Sequence, residues 1–244
     1  MNRYAPGDRG VSRYTAPALD KGLDILETLA DKPDGLNLKG LADELGRRPN
    51  EIFRMVVRLQ ERGYIRRGDD DVYHLSARLL ALAHRHTPTK RLIEAALPVM
   101  NALAARIDQG CHLAQLHPPD LVVVAEAAGT NPLGLMVRTG SSHEPLQTTS
   151  GRLLLAIRND ASIPASERRK LSRSRVVKRP SSIARGVTDL AAPIYDYTGQ
   201  AVAALSVPLL RPRKETGLPE RILRELEAAA RDLSDALGGS ASNS

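Results

Sequence analysis

The chain of 244 residues is 42% hydrophobic and 26% charged, a balance typical of soluble globular proteins. Its length exceeds the usual single-domain size of roughly 100 to 200 residues, which predicts two domains. No apolar run approaches the ~18 residues that a membrane span needs, and no apolar segment follows the N-terminal arginines, so we expect a cytoplasmic protein without membrane contact. The single cysteine, Cys111, excludes an internal disulfide and a cysteine-based zinc cluster.

The net charge of +7 is concentrated in two windows of the sequence. Residues 47–67 hold seven arginines against two glutamates, a balance of +5, and residues 152–185 hold ten lysines and arginines against two acids, a balance of +8. Together they leave −6 for the rest of the chain. Because an anion is neutralised by local positive density, the clustering favours contact with a polyanion or an anionic ligand.

Three amphipathic helices are predicted in the first third of the chain. The first spans residues 18–30, the second ends at Gly46, and the third begins at Pro49 and ends at Gly63. The expected inward-facing residues are Leu19, Leu23, Leu26 and Ala30, then Leu38, Leu41, Ala42 and Leu45, then Ile52, Val56 and Leu59. A tight turn between the last two helices makes a helix-turn-helix, and “YIRR”, “GDDD” and “VYHL” after it predict a β-hairpin wing.

The third helix carries the residues best suited to read DNA. A charge run on an isolated helix is often only a solvated face, but the preceding helix, the turn and the wing favour DNA binding. Asparagine pairs with adenine and arginine with guanine, whereas other arginines contact phosphate without specifying sequence. Glu51 suits either cytosine N4 or the helix N-terminus. The predicted DNA-binding residues are Arg47, Arg48, Asn50, Glu51, Arg54, Arg58, Arg66 and Arg67.

The remainder of the chain alternates strands with peripheral helices, which predicts an α+β domain. Strands are expected at residues 111–117, 121–127, 133–138, 188–195 and 201–207, after a long helix and before a closing helix at 218–237. The predicted organisation is a flexible tail (1–17), a DNA-binding domain (18–75), a linker helix (76–87), a second domain (88–238) and a disordered tail (239–244).

The stretch “PLQTTSGRLLLA” places hydroxyl side chains at the start of a helix. Its free N–H groups and positive dipole end suit a carboxylate or a phosphate. Simple N-capping by Thr149 or Ser150 explains the same pattern.

Catalysis finds little support in the sequence. His84 and His86 point to different faces of a helix, and no acid or cysteine completes a metal site. Ser150-Gly151-Arg152 lacks the nucleophile elbow. We therefore expect no catalytic residue, no metal and no cofactor; a small enzyme and a nucleoid-type binder without sequence preference are the competing classes.

Several ordered motifs over most of the chain resemble bacterial transcription regulators of the IclR family. They are “ALDKGLDILETLA”, “NEIFRMVVRLQERGYI”, “VYHLSARLLALA”, “CHLAQLHPPDLVVVAEA”, “LGLMVRTGSSHEPLQTTSGRLLLA” and “GVTDLAAPIYDYTGQAVAALSV”. The resemblance implies an N-terminal winged helix-turn-helix domain joined by a helix to a GAF-like α+β effector domain. It further implies a repressor that binds a double-stranded DNA operator as a homodimer or a dimer of dimers.

By the same resemblance, the second domain is expected to bind a small organic acid. The implied effector-binding residues are Met136, Thr148, Thr149, Ser150, Gly151, Asp189 and Ser206. Solvation also explains an aspartate at position 189, and hydrogen bonding within the sheet also explains a serine at position 206.

Two departures from the family pattern bear on this expectation. The segment between Ala156 and Gly186 is shorter than usual and basic where an acidic residue is often found, and Pro208 replaces a second serine. The basic segment has three competing interpretations: it favours an anionic ligand, it makes extra contact with DNA or a partner, or the domain has lost its ligand. We rank the anionic ligand first, because the basic segment leads into the strand of Asp189. The alternative function is therefore an effector-independent regulator with a degenerate sensor domain.

Overall fold

The structure is a computed structural model that describes residues 16–83, 87–130, 134–210 and 220–239. It divides into two compact units, Met1–Thr87 and Pro88–Ser244. The first is a helical winged helix-turn-helix and the second is α+β, so the predicted fold class is confirmed. None of the helices in the described ranges combines the length and the hydropathy that a membrane-spanning segment requires.

The described residues of the first unit form four helices and one hairpin. The elements are α1 (Pro17–Ala30), α2 (Leu38–Glu44), α3 (Pro49–Glu61), β1 (Ile65–Arg67), β2 (Tyr73–Leu75) and α4 (Arg78–Ala83). Asn37 caps α2 by accepting the Gly40 N–H at 2.8 Å, and Pro49 occupies the first turn of α3. Gly46 and Gly63 follow α2 and α3 with φ of +60° and +75°, which only glycine adopts without strain. The predicted turn and wing are therefore confirmed.

The core of this unit confirms the inner faces of α2 and α3 but corrects that of α1. Its buried residues are Ile25, Leu29, Leu41, Ala42, Ile52, Val56, Ile65 and Tyr73, with Leu26 and Leu59 partly buried beside them. Leu19 and Leu23, predicted to face inward, are 61% and 43% exposed. The reason is that α1 meets the other helices along the Ile25–Leu29 stripe, which lies on a different face of the helix.

In the second unit, the part of the chain that the structure describes forms a six-stranded antiparallel sheet with helices on both faces, in the strand order β5-β4-β3-β8-β7-β6. Its strands are β3 (Cys111–His117), β4 (Asp120–Ala127), β5 (Ser142–His143), β6 (Val177–Pro180), β7 (Val187–Tyr195) and β8 (Ala201–Leu210). Its helices are α5 (Thr87–Ile107), a 3₁₀ turn (Pro145–Gln147), α6 (Thr149–Ile157), α7 (Ala165–Ser172) and α8 (Glu220–Ala236).

The two sheet faces have different cores. On one face, apolar residues of α5 and α8, such as Met100 and Leu226, form the main core with sheet residues such as Leu205. On the other face, Leu153 and Leu154 of α6 are fully buried in two smaller clusters. The sheet side chains on this second face are therefore the ones that can line a site beneath the start of α6.

One predicted strand is wrong. Residues 134–138, the described part of the strand expected at 133–138, form no strand. The edge of β4 is occupied instead by the next segment, where the Val123 N–H donates to Ser141 at 3.0 Å and the Gly140 N–H donates to Val123 at 2.8 Å. The alternating apolar residues Leu135 and Val137 line a cavity instead. The basic segment, for which no helix or strand of its own was predicted, contains α7 and β6.

Candidate DNA-reading face and ligand cavity

The exposed face of α3 carries the residues predicted to read base edges. Asn50, Glu51 and Arg54 are exposed, because Ile52 and Val56 turn the opposite face of the helix into the core. Within the described residues no other side chain engages these three. Their polar groups are therefore available to a partner, and their DNA contacts stay a prediction.

Four of the other predicted contacts are differently placed. Arg48 precedes α3 and Arg66 lies on β1, both exposed. Arg58 is exposed but pairs with Glu61 at 2.5 Å, and Arg67 pairs with Asp71 at 2.9 Å while its guanidinium lies 5.7 Å from the centre of the Tyr73 ring. Exposed pairs of this kind are weak, so both arginines can exchange their partner for phosphate at little cost.

Arg47 has a structural partner. Its guanidinium lies 3.3 Å from the Asp24 carboxylate of α1, and both side chains are partly buried. This pair ties the turn of the helix-turn-helix to the first helix. A phosphate contact by Arg47, also predicted, would compete with it.

Phe53 is an exposed residue that the sequence reasoning missed. It is the only phenylalanine of the chain and is 49% exposed on α3. Phe53 follows Ile52 directly in the sequence, so its side chain lies about 100° away from the buried stripe of α3. Exposed apolar groups on a recognition helix suit the methyl group of thymine.

In the second unit, a cavity of about 390 Å³ lies between the sheet and the start of α6. Six of the seven predicted effector residues line it: Met136, Thr148, Thr149, Ser150, Asp189 and Ser206. They come from four separate parts of the chain, so the fold brings them together. Gly151 is the exception and does not line the cavity.

The start of α6 explains both the hydroxyl residues and the glycine. Thr148, and not Thr149 or Ser150, caps the helix by accepting the Gly151 N–H at 3.0 Å. A Cβ at position 151 would overlap the Pro145 carbonyl oxygen, so Gly151 permits a close approach of backbone segments. The backbone N–H groups of Thr149 and Ser150 lie in the first turn of the helix, so they have no acceptor within the helix and are free for a ligand.

Polar side chains of three adjacent strands form the floor of the cavity. Asp189 on β7, Ser206 on β8 and His112 on β3 all line it, and Ser206 is the register partner of His112. Burial raises the pKa of Asp189, which a hydrogen bond from Ser181 partly offsets. Burial, reinforced by the nearby His143, lowers the pKa of His112 to about 4, so its ring is neutral at pH 7. His112 was not predicted, because a polar residue in an alternating strand is unremarkable.

The basic segment does not supply charge to this cavity. None of its ten lysines and arginines is a lining residue, and Arg138, outside the segment, is the one cationic residue among the described residues that line it. Arg152 and Arg179 instead converge on Glu167, and Arg168 donates to the Asp160 carbonyl at 2.9 Å. The premise that this segment favours an anionic ligand in the cavity is therefore wrong.

Among the described residues, no group of three or more histidine, cysteine or acidic side chains is arranged to hold a metal ion. His84 and His86 lie outside the described residues.

A winged helix-turn-helix unit with a free recognition face, followed by an α+β unit with a small cavity, defines a DNA-binding transcription regulator. Residues 18–69 match the IclR helix-turn-helix domain. The chain is 26% identical to the Pca regulon regulatory protein of Pseudomonas putida, covering 91% of this chain and 84% of the relative. It is 21% identical to the DNA-binding transcriptional repressor YiaJ of Escherichia coli K12, covering 91% and 88%.

Solved structures share the fold over nearly the whole chain. An IclR homologue from Microbacterium hydrocarbonoxydans, complexed with 4-hydroxybenzoate, has a TM-score of 0.73 at 23% identity, covering 90% of this chain and 98% of that one. The Thermotoga maritima IclR has a TM-score of 0.67 at 19% identity, covering 90% and 98%. The chain is therefore similar to IclR-family transcriptional regulators over nearly its whole length, as its motifs predicted, and this family is not an enzyme family.

Proposed function

We propose that this regulator represses transcription by binding an operator through α3 and the wing, and that a small organic acid in the cavity changes its operator affinity. The observation that carries the proposal is the cavity, which gathers six predicted effector residues beneath a helix N-terminus. The chain acts in the cytoplasm as a homodimer or dimer of dimers, so that two α3 helices enter successive major grooves of a near-palindromic operator.

Operator reading rests on the exposed first turns of α3. Asn50 and Arg54 offer bidentate groups to base edges, while Arg48 and Arg66 lie at the flanks, where phosphate contact orients the protein. Glu51, Arg58 and Arg67 complete the proposed surface.

Replacing Arg54 with alanine is expected to weaken operator binding by about 1 to 3 kcal/mol, since an arginine–guanine contact contributes about this much. The operator is first selected from random double-stranded DNA with the full chain, and affinities are then measured at fixed salt. Arg231→Ala, which removes an exposed arginine of α8, is the control and should leave affinity unchanged. Equal affinity of Arg54→Ala and the parent protein would remove Arg54 from the reading surface.

Effector binding rests on the chemistry of the cavity. Its volume of about 390 Å³ falls in the range of small-molecule sites, and Leu121, Val123 and Leu135 give it apolar walls. The free amides at Thr149 and Ser150 and the helix dipole suit the carboxylate. The similar IclR homologue from Microbacterium hydrocarbonoxydans is complexed with 4-hydroxybenzoate, which supports an aromatic acid in particular.

The test uses the full chain bound to its operator. Benzoate-type acids are expected to change operator affinity and to stabilise the protein, by about 2.7 kcal/mol at a hundredfold excess over the dissociation constant. The matching neutral amides should do neither, because they lack the charge that the helix start favours. An acid that stabilises the protein without changing operator affinity binds both functional states equally and would contradict the regulatory role.

An effector-independent regulator is the second candidate. It is favoured by the absence of basic-segment cations from the cavity lining and by Pro208, which lines the cavity where a second hydroxyl was expected. In that case no acid stabilises the chain, while operator binding remains intact.

A further inference from the structure

The floor of the cavity contains two buried polar atoms without a hydrogen-bond partner. They are Nδ1 of His112 and Oγ of Ser206, and neither atom meets a donor or acceptor among the described residues. Ser206 as a whole is only 4% exposed. Buried polar atoms are nearly always satisfied in folded proteins, because leaving one unpaired costs free energy. Two such atoms lining one cavity indicate that something else satisfies them.

The two unpartnered atoms belong to neighbouring side chains. His112 and Ser206 are directly paired in the antiparallel register of β3 and β8, so their side chains point to the same face of the sheet. Directly opposed residues have Cβ atoms about 5 Å apart, close enough for one small group to contact both. Together they form a subsite on the floor, opposite the helix start that we propose for the carboxylate.

The chemistry of this subsite selects the group that fits it. A serine hydroxyl both donates and accepts, and one nitrogen of a neutral imidazole accepts while the other donates. Asp189 lies on the next strand of the same floor, and its carboxylate would repel a second anion. A hydroxyl group, which is uncharged and both donates and accepts, satisfies these conditions.

We infer that His112 and Ser206 form a specificity subsite for a hydroxyl group, so that the effector is a hydroxylated organic acid. The inference rests on the proposed effector function, and it adds His112 to the binding residues. The carboxylate of the ligand binds at the start of α6, and its apolar part packs against the apolar walls of the cavity. Its hydroxyl hydrogen-bonds to the two unpartnered atoms of His112 and Ser206.

The experiment compares acids that differ by one hydroxyl. Full-length protein is titrated calorimetrically with benzoate, 3-hydroxybenzoate and 4-hydroxybenzoate, and with hexanoate and 6-hydroxyhexanoate. At least one hydroxylated acid is expected to bind about tenfold more tightly than its parent, the gain of about one hydrogen bond. Ser206→Ala and His112→Leu should each abolish this advantage, so that a hydroxylated acid and its parent bind the same variant with about equal affinity. His112→Asn, whose amide keeps a hydrogen-bonding group close to the imidazole position, should retain part of it.

Folding of the variants is checked against a second buried serine. Ser234 accepts the Tyr195 N–H at 3.1 Å and donates to the Ala230 carbonyl at 2.8 Å, so Ser234→Ala should lower the unfolding midpoint. Ser206→Ala removes an unpartnered hydroxyl and should leave the midpoint unchanged or raise it.

The outcomes separate this inference from the proposed function. If acids bind and change operator affinity but a hydroxyl brings no advantage, or brings one that both His112→Leu and Ser206→Ala retain, the subsite is rejected and the effector function stands. If no acid of either series binds, both are rejected.

Discussion

Replacing Glu167 with alanine is expected to lower the free energy of unfolding of the second unit by about 2 to 3 kcal/mol. Arg152 donates to both Glu167 oxygens, at 3.1 and 2.6 Å, and Arg179 donates at 2.5 Å. The side chains of Arg152 and Glu167 are 19% and 25% exposed. Removing the carboxylate leaves two guanidinium groups, partly desolvated, facing each other. Breaking a fully buried pair costs about 3 to 5 kcal/mol, and partial exposure reduces that figure.

The chain offers a matched control for this prediction. Glu227 also lies between two arginines, Arg175 at 3.0 Å and Arg231 at 3.5 Å, whose side chains are 70% and 61% exposed. Glu227→Ala should therefore cost less than about 1 kcal/mol in the same urea titrations. Equal losses in the two variants would show that burial of the Glu167 cluster contributes nothing.

The Glu167 cluster also has a defined pH dependence. The hydrogen bond from Arg152 holds the pKa of Glu167 below its usual value. Its contribution is therefore complete above the carboxyl pKa of the unfolded chain, and it is lost as the pH falls through the folded-state pKa.

The second unit is also expected to lose about 2 to 3 kcal/mol of stability between pH 6.5 and pH 4 because of His112. Burial and the nearby His143 lower its pKa to about 4, whereas the unfolded chain titrates near 6.5. Above pH 6.5 both states are neutral at this position and nothing is lost. Below it the unfolded chain binds the proton first, so stability falls with pH.

His112→Asn isolates this contribution, because asparagine does not titrate. Other groups near the ring, namely His143, Asp189 and Glu126, which accepts the Thr139 N–H, are kept in the variant. Urea unfolding of both proteins, followed by circular dichroism at several pH values, should give stability curves that diverge as the pH falls. Parallel curves would mean that His112 is protonated as easily in the folded chain as in the unfolded one.

The sequence predicts local helices and turns better than it predicts which other elements they contact. The turn of the helix-turn-helix followed from Gly46 and Pro49, which act on the residues next to them. The inner face of α1 did not, because Leu19 and Leu23 are as apolar as Ile25 and Leu29, and only contact with other helices selects between the two stripes. The strand expected at 133–138 failed for the same reason, since its alternating pattern suits a cavity wall as well as a sheet.

The cavity shows the same contrast between features set by neighbouring residues and features set by residues distant in the chain. Six of its residues were predicted, because the resemblance supplied them and “TTSG” marks a helix start. His112 was missed because its role depends on pairing with Ser206, which lies more than ninety positions later in the chain. The fate of the basic segment was missed because one acid, Glu167, neutralises arginines on two other elements.

The only cysteine of the chain lies next to the His112–Ser206 subsite in the sequence, and its reactivity can report on opening of the second unit. Cys111 directly precedes His112 on β3, is 2% exposed, and has a thiol pKa raised by burial to about 12. Since the thiolate is the form that reacts with alkylating reagents, modification must wait until the core between β3 and α5 opens, where the thiol lies 3.5 Å from the Met100 carbonyl oxygen. The rate of alkylation therefore measures how often this core of the second unit opens. A ligand that stabilises the folded second unit is expected to slow the alkylation of Cys111, so binding can be measured at the native cysteine.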